Sequence, residues 1–314
     1  MIEVSNLSKT YGGIAAITDL NFKINKGEVV GFLGPNGAGK STTMKILTGF
    51  IAPSSGVARV GNFDVFENPI EVKKLIGYLP ETPPVYGDMF VRDYLVYVAQ
   101  LKGVIPAKIN SQVDRAIEKT QLKQVEKRLI QNLSKGFRQR VGIAQAIVSE
   151  PEVLILDEPT VGLDPKQVAE IRELIQELKG SHTIILSTHI LSEVQATCER
   201  IIIINQGKIV AQDSLENLSA LKSGQRAVIL KVKRPSDALA LALKALSAVK
   251  EIEFDHKQTY KVFVSGSEEV IEAIASTAIA TRAGLLELSS AKLDLEDVFI
   301  ELTYGSNGKG EAHV

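Results

Sequence analysis

The sequence predicts an α/β protein. A covered, mostly parallel sheet is preceded by antiparallel strands, interrupted by a helical lobe and followed by a smaller α+β unit. Three observations carry this. Short apolar runs at Val29–Leu33, Val153–Leu156, Thr183–Ser187 and Ile201–Ile204 alternate with helical patterns, as strands buried on both faces do. From about residue 85 to 150 the strand-like runs give way to consecutive helical patterns. Beyond residue 225 the rhythm becomes β-α-β-β-α-β followed by a helix, the order of a ferredoxin-like unit.

Taken in order, Ile2–Leu7 and Leu20–Ile24 alternate apolar and polar residues and read as antiparallel strands. Val29–Leu33 runs into a glycine-rich loop and then a helical pattern, Ser41–Leu47. The lobe is read as helices at Asp93–Lys102, Lys108–Thr120 and Gln139–Val148. Leu215–Leu221 reads as a helix closing a first domain set at 1–222, with Ser223–Gly224 as the boundary. The accessory domain, 225–303, has strands at Ala227–Val232, Glu251–Asp255, Tyr260–Val264 and Leu285–Leu288. Ser236 caps a helix reaching Ala248, Ser267 opens another with two glutamates in its first turn, and Leu293–Leu302 is the last. A polar turn spans His256–Thr259, and residues 304–314 read as a flexible end.

Composition bounds the function. The 314 residues suit two domains at roughly 150 residues each. With 36 basic and 37 acidic residues the net charge is −1, which disfavours a nucleic-acid partner, since that needs a basic surface. Hydrophobic residues at 45% and charged residues at 23% exclude a wholly disordered chain. Cys198 is the single cysteine, so there is no internal disulfide or cysteine cluster, and a reducing compartment fits. His182, His189, His256 and His313 are too scattered for a metal site. No apolar run approaches the roughly 18 residues of a membrane helix, and the first residues lack the pattern of a secretory leader. Membrane association is therefore expected only through a partner.

The chemistry concentrates in two segments. Gly34-Pro35-Asn36-Gly37-Ala38-Gly39-Lys40-Ser41 matches G-x-x-x-x-G-K-[ST] between a strand and a helix, the context that gives this motif its meaning. Its backbone N–H groups are expected to cradle phosphates, aided by the positive helix end, with Thr42 also among the cofactor-binding residues. Lys40 is expected at the β- and γ-phosphates and Ser41 on Mg²⁺. Val153-Leu154-Ile155-Leu156-Asp157-Glu158 is an apolar strand ending in two carboxylates. Asp157 suits Mg²⁺ through water, and Glu158 suits a general base acting on an attacking water.

With these two motifs in place, the chain resembles the ATP-binding subunit of an ABC transporter, a P-loop NTPase cassette. Leu133-Ser134-Lys135-Gly136-Phe137-Arg138-Gln139-Arg140 resembles the signature usually written L-S-G-G-Q. Ser187-Thr188-His189 resembles the switch-histidine segment, Gly162-Leu163-Asp164 the loop linking the two sites of a dimer, and Tyr11 the aromatic that stacks on adenine. The resemblance covers about residues 1–215. It implies an ATPase using ATP and Mg²⁺, with Lys40, Glu158 and His189 as catalytic residues. Ser134 and Gly136 would serve the γ-phosphate held by a second ATP-binding subunit, a homodimer being the expected arrangement. It further implies an integral-membrane permease, export as the direction of transport, and residence on the cytoplasmic face of the membrane.

Three departures stand out. Glu81, after Gly77-Tyr78-Leu79-Pro80, stands where the family usually has Gln; it can still accept from Mg²⁺-bound water and is counted among the metal residues. Lys135 and Phe137 replace the signature's glycine and glutamine. With the ending L-E-D-V-F-I-E-L-T, these features resemble the type-2 exporters that include gliding-motility-associated ATPases. The exposed aromatics expected at Tyr86 and Phe90, on the Glu81–Arg92 loop, suit either permease docking or core packing. The alternative is a soluble cassette ATPase acting on nucleic acid or ribosomes. Such proteins usually carry two cassettes or a long coiled coil ahead of the signature, and this chain has one cassette with no sustained heptads there. The tail shows no polar constellation, leaving dimerisation, spacing or ligand-dependent regulation open.

Overall fold

The computed structural model describes residues 1–220, 226–255, 258–264, 269–291 and 295–304. The Ser223–Gly224 boundary, the turn at His256, the helix opening at Ser267 and the end beyond residue 304 lie outside the described residues. The chain divides into two compact units, Met1–Asp213 and Ser214–Val314.

The first unit opens with a hairpin of β1 (Ile2–Tyr11) and β2 (Ile14–Ile24), paired from Ile2↔Ile24 to Tyr11↔Ile14. The strands run further than the alternation suggests. Register shifts between Val4 and Leu7 and again before Lys9 and Thr10 interrupt the two-residue period that the sequence pattern relies on. Next come β3 (Val29–Leu33), α1 (Lys40–Leu47), β4 (Ser55–Val60) and β5 (Phe63–Asp64). The strands β2-β1-β4-β5 form an antiparallel sheet.

α2 (Pro69–Leu75) and β6 (Ile76–Leu79) lead into the lobe: α3 (Val91–Leu101), α4 (Pro106–Lys119) and α5 (Lys135–Ile147). α5 begins at Lys135, ahead of the expected Gln139, because Ser134 accepts the Phe137 N–H at 3.3 Å and caps the helix. β7 (Val153–Asp157), α6 (Pro165–Leu178), β8 (Thr183–Thr188), α7 (Leu191–Thr197), β9 (Arg200–Asn205) and β10 (Lys208–Ser214) complete a sheet of order β10-β9-β3-β8-β7-β6. Pairings β3/β8, β3/β9, β6/β7 and β7/β8 are parallel. Every residue of β3, β7 and β8 is buried, which accounts for their unbroken apolar runs. The register sets Leu33 beside Thr188 and Asp157 beside Ser187. Three carboxyl strand ends therefore converge at one edge, where open α/β sheets place their ligands.

The second unit contains α8 (Leu215–Ala220), β11 (Arg226–Val232), α9 (Asp237–Lys244), β12 (Val249–Asp255), β13 (Thr259–Val264), α10 (Glu269–Ala280), β14 (Leu285–Ala291) and α11 (Leu295–Tyr304). Its sheet has the order β12-β13-β11-β14 with every neighbouring pair antiparallel. This is the split β-α-β arrangement expected of a ferredoxin-like unit. Val228, Leu230 and Val232 of β11 pack with Leu239, Val262 and Ile274 in its core. α8 packs against α11, so the division falls after Asp213 rather than at residue 222. No helix among the described residues is long and apolar enough to cross a membrane.

Candidate active site

The glycine-rich loop leaves β3 and turns into α1 at Gly39, whose φ of +107° is open to glycine alone at little cost. Gly34 is required for a different reason: a β-carbon there would stand 2.2 Å from the Ile204 carbonyl oxygen. Lys40 is buried and folds back over the loop, donating to the carbonyls of Gly34 at 2.8 Å and Pro35 at 3.2 Å. Its Nζ also lies 3.3 Å from Glu158 Oε1, with both side chains almost wholly enclosed.

Glu158 is the hinge of the site. It follows β7 in the left-handed region, φ +50°, and its N–H donates to the Ser187 carbonyl at 2.9 Å. While one carboxylate oxygen meets Lys40, the other lies 2.9 Å from His189 Nδ1. His189 follows β8 and keeps 39% of its side chain exposed. A cleft of about 400 Å³ opens here, lined by Asn36, Lys40, Ser41, Glu81, Glu158 and His189 among others, with Gly37, Gly39 and Thr42 on its walls. Ala16 and Val161, which the sequence motifs did not indicate, also line it.

Asp157 is buried, and its Oδ1 has no hydrogen-bond partner in the chain. Burial raises its carboxyl above the ordinary range; the Ser187 and Ser41 hydroxyls pull it down, the Glu81 charge adds to the rise, and Lys40 opposes it. An orphaned buried carboxylate oxygen, a serine hydroxyl and a second carboxylate form an all-oxygen donor set, which matches a small hard cation such as Mg²⁺.

The remaining expected residues are placed elsewhere. Pro35 and Ala38 lie in the loop, Pro35 through its carbonyl and Ala38 as a buried packing residue. Tyr11 is 47% exposed at the end of β1, with Lys9 Nζ 5.2 Å from its ring centre. Asp164 caps α6, accepting the Gln167 N–H at 2.9 Å. Neither Tyr11 nor Asp164 lines the cleft. Ser134 and Gly136 open on a separate pocket of about 170 Å³, shared with Phe137, Gln167 and Glu170. Buried Arg140 also lines it and pairs with Glu170 at 2.6 Å. Gln167 packs so closely on the signature turn that a β-carbon at Gly136 would stand 2.7 Å from it. A β-carbon at Gly162 would likewise stand 2.0 Å from Lys135 Nζ. The motifs thus sort into two clusters within one chain, one with the phosphate loop and both carboxylates, the other with the signature turn.

Sequence reading passed over two buried carboxylates, Glu126 and Glu193, of which Glu193 contacts residues beside Glu158 and His189. Glu193, on α7, is 2% exposed and accepts from Thr160 and Thr188, the latter at 2.7 Å. Thr188 ends β8 five residues before it, but Thr160 lies in the loop after β7, 33 residues away, so no local motif marks the pair.

Residues 17–161 match the family model described as ABC transporter. The linearmycin resistance ATP-binding protein LnrL of Bacillus subtilis is 30% identical over 306 residues, spanning 96% of this chain and 98% of the relative. The bacitracin transport ATP-binding protein BcrA of Bacillus licheniformis is 38% identical over 220 residues, 69% of this chain and 71% of the relative. Among solved structures, the dimeric bacterial ABC transporter cassette MJ0796 superposes with a TM-score of 0.63 at 26% identity, covering 68% of this chain and 99% of that one. The phosphate loop, the paired carboxylates at the end of β7 and a relative matched along 98% of its length lead to one conclusion: the chain belongs to the ATP-binding proteins of ABC transporters.

Proposed function

We propose that this ATPase powers export through a separate integral-membrane permease, working as a pair of cassettes at the cytoplasmic face of the membrane. The observation that carries the catalytic part is the position of Glu158, whose two oxygens face Lys40 and His189 at the mouth of the cleft. Lys40 neutralises phosphate charge, Glu158 takes the proton of the attacking water, and His189 holds the γ-phosphate and that water in line. The loop amides of Asn36–Thr42 cradle the phosphates, with Tyr11 under the adenine ring. Mg²⁺ would be held by Ser41 directly and by Asp157 and Glu81 through water, and when bound it neutralises charge on the β- and γ-phosphates.

The pairing proposal is supported by the separation of the two clusters. Ser134 and Gly136 open on a pocket of their own, as a surface serving another chain's nucleotide would. Closure of two chains face to face makes ATP the adhesive and hydrolysis the release; a homodimer is the simplest form. Asp164, at the loop joining the clusters, belongs to that interface. Tyr86 and Phe90, 52% and 46% exposed, suit permease docking, and Tyr86 stacks edge-on with Tyr94 and Tyr97.

Export as the direction draws support from the relatives, one named for resistance to linearmycin and one for bacitracin transport. We place the chain in the type-2 exporter class on the G-Y-L-P-E and L-S-K-G-F-R-Q-R segments; its likeness to gliding-motility-associated ATPases rests on those segments and the L-E-D-V-F-I-E-L-T ending. The test is light scattering of Glu158→Gln with Mg-ATP. A stable dimer without turnover is expected. A variant that stays monomeric and hydrolyses normally refutes the shared-site mechanism.

A further inference from the structure

We propose that Glu193 is a positioning residue that fixes His189 and Glu158 relative to one another through two threonine hydroxyls. The proposal rests on the reading of Glu158 and His189 as the catalytic pair.

A carboxylate that is 2% exposed is costly to keep unless both its oxygens are matched. Here each oxygen takes a different hydroxyl. Thr160 Oγ1 donates to Oε1 and Thr188 Oγ1 donates to Oε2 at 2.7 Å. Thr188 Oγ1 in turn accepts the Ile190 N–H at 3.1 Å. The residues on both sides of His189 are therefore tied to Glu193, while His189 itself reaches into the cleft. On the other arm, Thr160 lies two residues past Glu158, whose left-handed backbone is sparsely populated for a side chain of this kind. Such a conformation persists where its surroundings over-determine it. The Thr160 hydroxyl bond, the Glu158 N–H to Ser187 at 2.9 Å and the Val161 N–H to Glu158 at 3.3 Å supply that.

These contacts close a ring: Glu158 to His189, His189 along the chain to Thr188, Thr188 to Glu193, Glu193 to Thr160, and Thr160 back along the chain to Glu158. Glu193 is held in turn at its carbonyl by Thr197 Oγ1 at 2.6 Å. It does not line the cleft, so its effect on the reaction passes through the two groups it orients.

The experiment measures ATP turnover and, separately, binding of a fluorescent ATP analogue for Glu193→Ala, Glu193→Gln, Thr160→Val and Thr188→Val. Misplacing a reacting group by an ångström costs on the order of a hundredfold; the Ala variant is expected to lose kcat by about tenfold or more with analogue affinity unchanged. Gln, whose amide oxygen and NH₂ can serve both threonines, should restore most of the rate, and each Val variant should lose part of it. A folded Ala variant with parental kcat overturns the proposal, as does affinity falling in step with kcat, or a Gln variant as poor as Ala. If the Ala variant fails to fold, the two Val variants decide: reduced kcat at unchanged affinity upholds the ring, and normal kcat in both breaks it. Glu158→Gln run alongside separates the two levels. Retained turnover there defeats the catalytic pair itself, whereas lost turnover there with no effect at 193 defeats only the positioning role.

Discussion

The two units use sheets and helices to opposite ends. In the first, β3, β7 and β8 run side by side in parallel and end together, and the unit buries Lys40, Asp157, Glu158 and Glu193 around that edge. In the second, every neighbouring strand pair is antiparallel, and no charged side chain is buried among its described residues. Antiparallel order alternates the strand ends between two edges, so no one edge gathers the turns. Removing charge from water is expensive. The first unit bears much of that cost where the chemistry lies, with Glu126 and Arg140 buried elsewhere in it, whereas the core of the second is apolar.

Four experiments would break or sharpen this contrast. Lys40→Ala should have the largest effect. It deletes the cation of the phosphate loop and leaves Glu158 buried beside His189 without it; titration with a fluorescent ATP analogue should show no saturable binding. Glu158→Gln should retain binding and lose turnover by about a hundredfold to ten-thousandfold, the range for a general base, read by phosphate release. Third, Leu230→Ala removes a fully buried side chain of the second unit and should destabilise that unit by about 2–5 kcal/mol. ATP turnover by the purified chain at low temperature should stay at the parental rate, and a loss there would dissolve the division of labour.

The smallest effect concerns Asp157. Its carboxyl is raised in the folded chain, first by burial. A group whose folded pKa exceeds its unfolded one supports the fold while protonated and withdraws that support as pH rises through the folded value. Asp157→Asn abolishes this ionisation. Without Mg²⁺ or nucleotide, the variant's thermal midpoint should gain on the parent as pH rises from acid to neutral. A difference that stays constant with pH would show that the carboxylate is not penalised there.

How much of this was legible depended on distance along the chain. The phosphate loop and the Asp157-Glu158 pair are contiguous motifs attached to fully buried strands, so both their existence and their place at strand ends follow from a few residues. The β-α-β-β-α-β order of the tail was readable because its strands are short and punctuated. β1 runs past the legible alternation to Tyr11 because register shifts at Leu7/Lys9 and Lys9/Thr10 break the two-residue period beyond Leu7. The helical period marks α5 only from Gln139, but Ser134, expected to open a helix at the signature turn, caps it so that it starts four residues earlier, at Lys135. Glu193 was invisible for a stronger reason: Thr160 is 33 residues away and only the fold brings the two together. The grouping of α8 with α11 was hidden for the same reason.

The close packing of Gln167 on Gly136 and of Lys135 on Gly162 has a mechanical consequence. Both contacts are made by the ends of long side chains, the Gln167 amide and the Lys135 ammonium, so each can yield by a change of rotamer without moving the backbone that carries it. The turn and the loop therefore touch through adjustable parts, and of the two glycines only Gly162, at φ +69°, is also demanded by its own backbone.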